Sequence, residues 1–119
     1  MTTSLRQRLR AALPVAMKAR DRSATTALRA TLAAIDNAEA VVPAGGATKG
    51  QAIEEVEIGV GATEVARRAL TEDEVERIVR AELAERQVAA EQYERAGRAD
   101  RAEQLRGEAR VLAAHLPNG

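Results

Sequence analysis

Apolar residues recur at helical spacing through most of the chain. Leu5, Leu9, Leu13 and Met17 return every fourth position, which predicts a first helix over about residues 3–19 with those four on one apolar face. Thr3 or Ser4 can cap its start. Pro14 lies inside it, where a missing N–H and a ring clash with the preceding turn predict a kink. Residues 20–23 read as a turn, with Asp21 or Ser23 as the next cap. A second helix follows over about 23–42, with Leu28, Leu32 and Ile35 on its apolar face and Ala24, Ala27, Ala34 and Ala38 beside them. So short a turn implies an antiparallel hairpin.

The clearest start is at Thr71. Thr71 and Glu74 have the spacing of a capping box, and the acids at 72–74 suit the positive end of a helix dipole. Val75, Ile78, Val79, Glu82, Arg86, Ala89, Ala90 and Tyr93 then keep the helical period to about residue 96, and Gly97 is placed to end the run. Asp100 reads as the cap of a fourth helix to about His115, with Ala102, Leu105, Ala109, Leu112 and Leu116 inward. Between the two pairs, residues 43–69 hold five of the eight glycines. They read as a flexible, partly ordered crossover in which residues 53–60 alternate as a short strand would. The expectation is an all-α four-helix bundle of two antiparallel hairpins joined by a glycine-rich crossover, in one domain of 119 residues.

Composition changes this picture in one respect. Hydrophobic residues make up 45% of the chain, but 27 of them are alanine, and there is no Phe or Trp. Alanine favours helix but buries little area, at roughly 25 cal/mol per Å². The core should be thin and the helices close together. Absence of cysteine removes disulfides and thiolate chemistry. No apolar run approaches a membrane span and no signal-peptide core opens the chain, so the reading is a cytoplasmic protein.

Net charge is zero, yet it is segregated. Residues 1–30 carry seven bases and one acid, residues 31–94 six bases and fourteen acids, and residues 95–119 five bases and three acids. The basic end can track nucleic-acid phosphates, or it can complement the acidic middle of the same bundle. On the first reading, Arg6, Arg8, Arg10, Lys18 and Arg22 are the candidate RNA-binding residues.

Candidate chemistry is sparse. Acyl transfer needs a nucleophile beside a base, but Ser4 and Ser23 sit at helix caps. The single histidine, His115, falls at a helix end, where contact with the last carbonyls is expected. Glu82, Glu85 and Glu91 lack the Glu-x-x-His partner of a di-metal bundle site, and Glu82 with Arg86 reads as an i,i+4 salt bridge. The glycines around Lys49 do not form a phosphate loop. Tyr93 falls in phase with the core stripe, which favours packing over base stacking. No catalytic residue, metal site or cofactor is assigned.

Several blocks, in order, resemble the YqeY family. They are residues 16–21 (AMKARD), Leu28-Arg29 with residues 32–39 (LAAIDNAE), residues 70–75 (LTEDEV), residues 93–100 (YERAGRAD) and the closing stretch from Leu112 to Leu116-Pro117. The resemblance is to the first helical bundle of that family. Its members usually continue with a smaller bundle, similar to the tRNA-contacting tail of the GatB subunit of tRNA-dependent amidotransferase, and the expectation is that this chain lacks that second bundle. The resemblance implies a link to carbon–nitrogen ligase chemistry with glutamine as amido-N-donor, without transferring a catalytic residue. It implies tRNA, or a tRNA-amidation or charging complex, as partner. The alternative is a protein-interaction or homo-oligomeric helical module without RNA binding.

Overall fold

The computed structural model describes residues 3–40 and 69–117. Among these, four α-helices and no strand are present: α1 (Leu5–Lys18), α2 (Arg22–Glu39), α3 (Glu72–Arg95) and α4 (Ala99–His115). The crossover and the strand-like alternation expected within residues 43–69 fall almost entirely outside the described residues. The chain divides into two compact units. One comprises Met1–Ile35 with Thr71–Gly119 and holds α1, most of α2, α3 and α4; the other is Asp36–Leu70, of which the end of α2 and residues 69–70 are described.

Two helix starts follow from local sequence. Ser4 caps α1 in a full capping box, its hydroxyl accepting from the Gln7 N–H and its own N–H donating to Gln7 Oε1, both at 3.1 Å. Thr71 and Glu74 do the same for α3, at 3.1 and 2.9 Å. A third donor at the α1 start is satisfied from elsewhere: the Leu5 N–H donates to Glu72 Oε2 at 2.8 Å, so the N-termini of α1 and α3 lie side by side. Asp21 caps α2, accepting from the Ala24 N–H at 3.1 Å. The expected Asp100 cap is not found. α4 starts behind Arg98 with no side-chain cap, and Asp100 sits inside the first turn, accepting from the adjacent Arg101 N–H at 2.9 Å. The preceding turn sets this start, as the Arg98 N–H is already used to close α3.

α1 and α3 end in the same six-residue closure. At α1, Asp21 N–H donates to Ala16 O and Arg20 N–H to Met17 O; at α3, Arg98 N–H donates to Tyr93 O and Gly97 N–H to Glu94 O. Each needs one left-handed residue. At α3 it is Gly97 (φ 78°), and at α1 it is Arg20 (φ 58°). A Cβ on Gly97 would meet no atom within 4 Å, so Gly97→Ala tests backbone conformation alone. It should cost about 1 kcal/mol in urea denaturation, and Arg20→Gly should recover up to a similar amount.

The core is made of Leu5, Leu9, Ala16, Ala24, Ala27, Leu28, Ile35, Val75, Val79, Ala90, Ala102, Ala109, Leu112 and Leu116. The apolar face of α1 differs from a strict four-residue stripe. A step of four residues overshoots a turn by about 40°, so Met17 has rotated out of the core and is 46% exposed, while Ala16 takes the inward place. α3 and α4 pack along much of their length, and α1 contacts both. Their cross-links run in opposite directions: Arg106 with Glu94, Arg86 with Glu108, and Arg80 Nη2 with the Pro117 carbonyl. The two helices are therefore antiparallel. α2 closes on α4 near its start, where a Cβ on Gly107 would lie 3.1 Å from Ser23 Oγ. Glycine inside α4 costs helix propensity, and this close approach explains it.

Candidate nucleic-acid interface

The structure sorts the candidate cations into two groups. Arg10, Lys18 and Arg22 are exposed, and none has a hydrogen bond or ion pair through its side chain to a described residue. Arg10 precedes Lys18 by eight residues on α1, about 12 Å along the axis. Arg20, which sequence reasoning left out of the set, is exposed between Lys18 and Arg22, on the αL residue of the α1–α2 turn. Asp21, the one acid in this stretch, has its carboxylate turned to the Ala24 N–H. Four guanidinium or ammonium groups are thus presented from α1, the turn after it and the first residue of α2.

Arg6 and Arg8 are half-buried. Arg8 faces the bundle: Nη1 donates to the Thr3 carbonyl at 2.7 Å and Nη2 to the His115 carbonyl at 3.0 Å. It therefore stabilises the negative end of α4, the place where the imidazole itself was expected to act. Burial lowers the His115 pKa below its ordinary value, and the positive charge of Arg8 lowers it further. The folded state holds His115 neutral, so its full contribution is present above about pH 6.5 and is lost as pH falls through the lower, folded-state value. Urea midpoints should drop as pH falls below about 6.5, and His115→Gln should flatten that part of the profile.

The polar residues of α3 and α4 build a second cluster, inside the bundle. Arg86 Nε donates to Glu108 Oε1 at 2.9 Å, Arg86 Nη1 donates to Glu82 Oε1 at 2.9 Å and to the Glu82 carbonyl at 3.1 Å, and Gln104 Nε2 donates to Glu108 Oε2 at 3.1 Å. Glu82 and Arg86 form the i,i+4 pair read from the sequence. Glu108 and Gln104 were missed. Glu108 was detectable, since it lies three residues after Leu105 and four before Leu112, on the inward face of α4. With both Glu108 oxygens and Glu82 Oε1 directed at donors, this cluster ties α3 to α4. Glu85 and Glu91 are exposed, and among the described residues no group of three His, Asp or Glu side chains is placed to hold a metal. Tyr93 is half-buried with the Arg101 guanidinium 5.4 Å from its ring centre, so a side chain already occupies that ring face.

The model of the Yqey-like protein family matches residues 43–119. The chain belongs to the YqeY family. The match takes in α3 and α4 of this YqeY-like chain, and with them the Glu82–Arg86–Glu108–Gln104 cluster. It leaves out residues 1–42, and so all five candidate cations and the earlier resembling blocks on α1 and α2. No curated protein and no solved structure matches the chain. Among the described residues, no helix is long and apolar enough to cross a membrane.

Proposed function

We propose that this YqeY-like protein is a non-catalytic accessory module that contacts tRNA, in association with tRNA-dependent amidation or charging. The observation that carries this reading is a group of exposed cations with no acidic partner and a single acid, Asp21, among them. On α3 and α4 the cations alternate with acids, and Arg80, Arg86, Arg106 and Arg110 engage a carboxylate while Arg77 and Arg95 do not. From α1 to the first residue of α2, Arg10, Lys18, Arg20 and Arg22 engage none among the described residues. Exposed, uncompensated cations on rigid helices suit phosphate contacts, which position a nucleic acid without reading its sequence. The link to amidotransferase chemistry is what the sequence resemblance implies, and two helical hairpins, α1–α2 and α3–α4, are the arrangement proposed to present the cations. The buried α3–α4 cluster is structural on this reading.

Titration of labelled tRNA at several salt concentrations tests it. Binding through three or four phosphates gives a log–log salt slope of about −3. Replacing Arg10, Lys18 and Arg22 by glutamine should flatten that slope by about one for each phosphate no longer neutralised, and weaken binding at least tenfold at low salt. Arg8 is left intact in this test, because its loss would loosen α4. No binding at micromolar protein and low salt, or binding unchanged in the triple variant, would sink the proposal.

A further inference from the structure

The outward face of α3 has an internal symmetry. Ala84 is its midpoint. Arg77 lies seven residues before Ala84 and Glu91 seven after; Asp73 lies eleven before and Arg95 eleven after. Seven residues fall just short of two helical turns and eleven just beyond three, so all five positions lie within about 20° of one line along the helix. All five are exposed. Ala81 and Val88 flank the midpoint, and Val88 is one of the few large apolar side chains left open, at 55% exposure. With Glu85, Ala89 and Gln92 they line a shallow concavity on this face.

The four charges along that line share a second property. None of Asp73, Arg77, Glu91 and Arg95 has a hydrogen bond or ion pair through its side chain to a described residue, whereas Arg80, Arg86, Arg98, Arg106 and Arg110 of the same hairpin each have an acidic partner. Asp73 with Arg77 and Glu91 with Arg95 have the i,i+4 spacing of helix ion pairs, but neither pair is closed, and across the midpoint Arg77 and Glu91 are about 21 Å apart along the axis. A second copy of the helix, antiparallel and related by a two-fold axis at Ala84, brings Asp73 opposite Arg95 and Arg77 opposite Glu91, each twice. A parallel copy would set like charges against each other.

We propose that α3 is a self-association surface, on which two copies of the chain pair antiparallel about Ala84. The occupant is a second copy because the charge order is complementary to its own reversal, the condition a two-fold interface imposes. Alanine at the crossing point lets the helices approach to about 8 Å, and Ala81 of one copy meets Val88 of the other. Exposed ion pairs contribute modestly and are screened by salt, so they set direction and register around a small apolar centre. The surface uses none of the candidate RNA-binding cations and does not depend on RNA binding.

Sedimentation equilibrium of the full chain across a wide concentration range at low salt is the test. The wild-type chain should dimerise, and added salt should weaken the dimer. Arg77→Glu and Glu91→Arg should each weaken it about tenfold, by opposing like charges in both symmetry-related pairs. The double variant Arg77→Glu/Glu91→Arg should restore it to within about threefold of wild type. All of these sites are exposed, and helicity by circular dichroism should be unchanged. A wild-type chain that stays monomeric throughout overturns the proposal. So does a dimer indifferent to both single variants, or a double variant no stronger than either single one.

Discussion

Glu108→Ala is expected to destabilise the fold by about 3 kcal/mol, read from urea unfolding followed by circular dichroism. Glu108 and Arg86 are 7% and 11% exposed in their side chains, so removing the carboxylate strands a guanidinium that water reaches poorly. It also leaves Gln104 Nε2 without its acceptor. The cost falls at the low end of the range for a broken buried pair because Glu82 still engages Arg86 from the preceding turn. A loss of this size is a large fraction of a single domain's total stability, and alanine-rich packing supplies little reserve. The companion variant separates net worth from the penalty of breakage. Arg86→Met/Glu108→Leu removes both charges and fills their space, and it should come within about 1 kcal/mol of wild type or exceed it. If the double variant instead loses as much as Glu108→Ala, the pair itself contributes stability in excess of apolar packing. If Glu108→Ala changes nothing, the cluster is better solvated than its burial implies.

That cluster also marks where sequence reasoning reached its limit. Chemistry confined to a few neighbouring residues was legible: the Thr71–Glu74 box, the Gly97 closure and the Glu82–Arg86 pair all depend on positions within one turn of helix. Helical phase was legible to within a residue or two, and its failure at Met17 came from following a strict spacing of four where the helix repeats at 3.6. Asp100 was assigned to a cap by residue type, while the closure of α3 through Arg98 decided where α4 begins. The contacts that give the site its character span the chain. Arg8 meets the His115 carbonyl across 107 residues, and Arg86 meets Glu108 across 22. Nothing local distinguishes Arg8 from Arg10, two residues away. The packing of α1 against the end of α4 does, by turning one guanidinium inward and leaving the other in solvent. Charge type nominated the cations, and tertiary structure sorted them into those that hold the fold and those free to meet a partner.

Pro14→Ala should stabilise the protein by about 2 kcal/mol, a gain of several degrees in Tm. α1 runs on past Pro14, which sits in its third turn with no N–H to donate to the Arg10 carbonyl and with its ring against that same turn. A proline in a helix interior is disfavoured by about 3 kcal/mol relative to alanine, and the expected gain is set below that full value. The side chain is exposed, so alanine removes no core contact and leaves Leu9 and Ala16 in place. The gain should therefore appear as restored backbone bonding, with higher helicity and an unchanged dependence on pH through His115. Arg10 and Lys18 lie one turn either side of the proline, and their relative orientation depends on the path of α1 between them. Measured on the same variant, tRNA affinity distinguishes two consequences. If it falls while stability rises, the proline sets the spacing of the cations. If it holds, the four groups act as a diffuse charge that tolerates a change in the path of the helix.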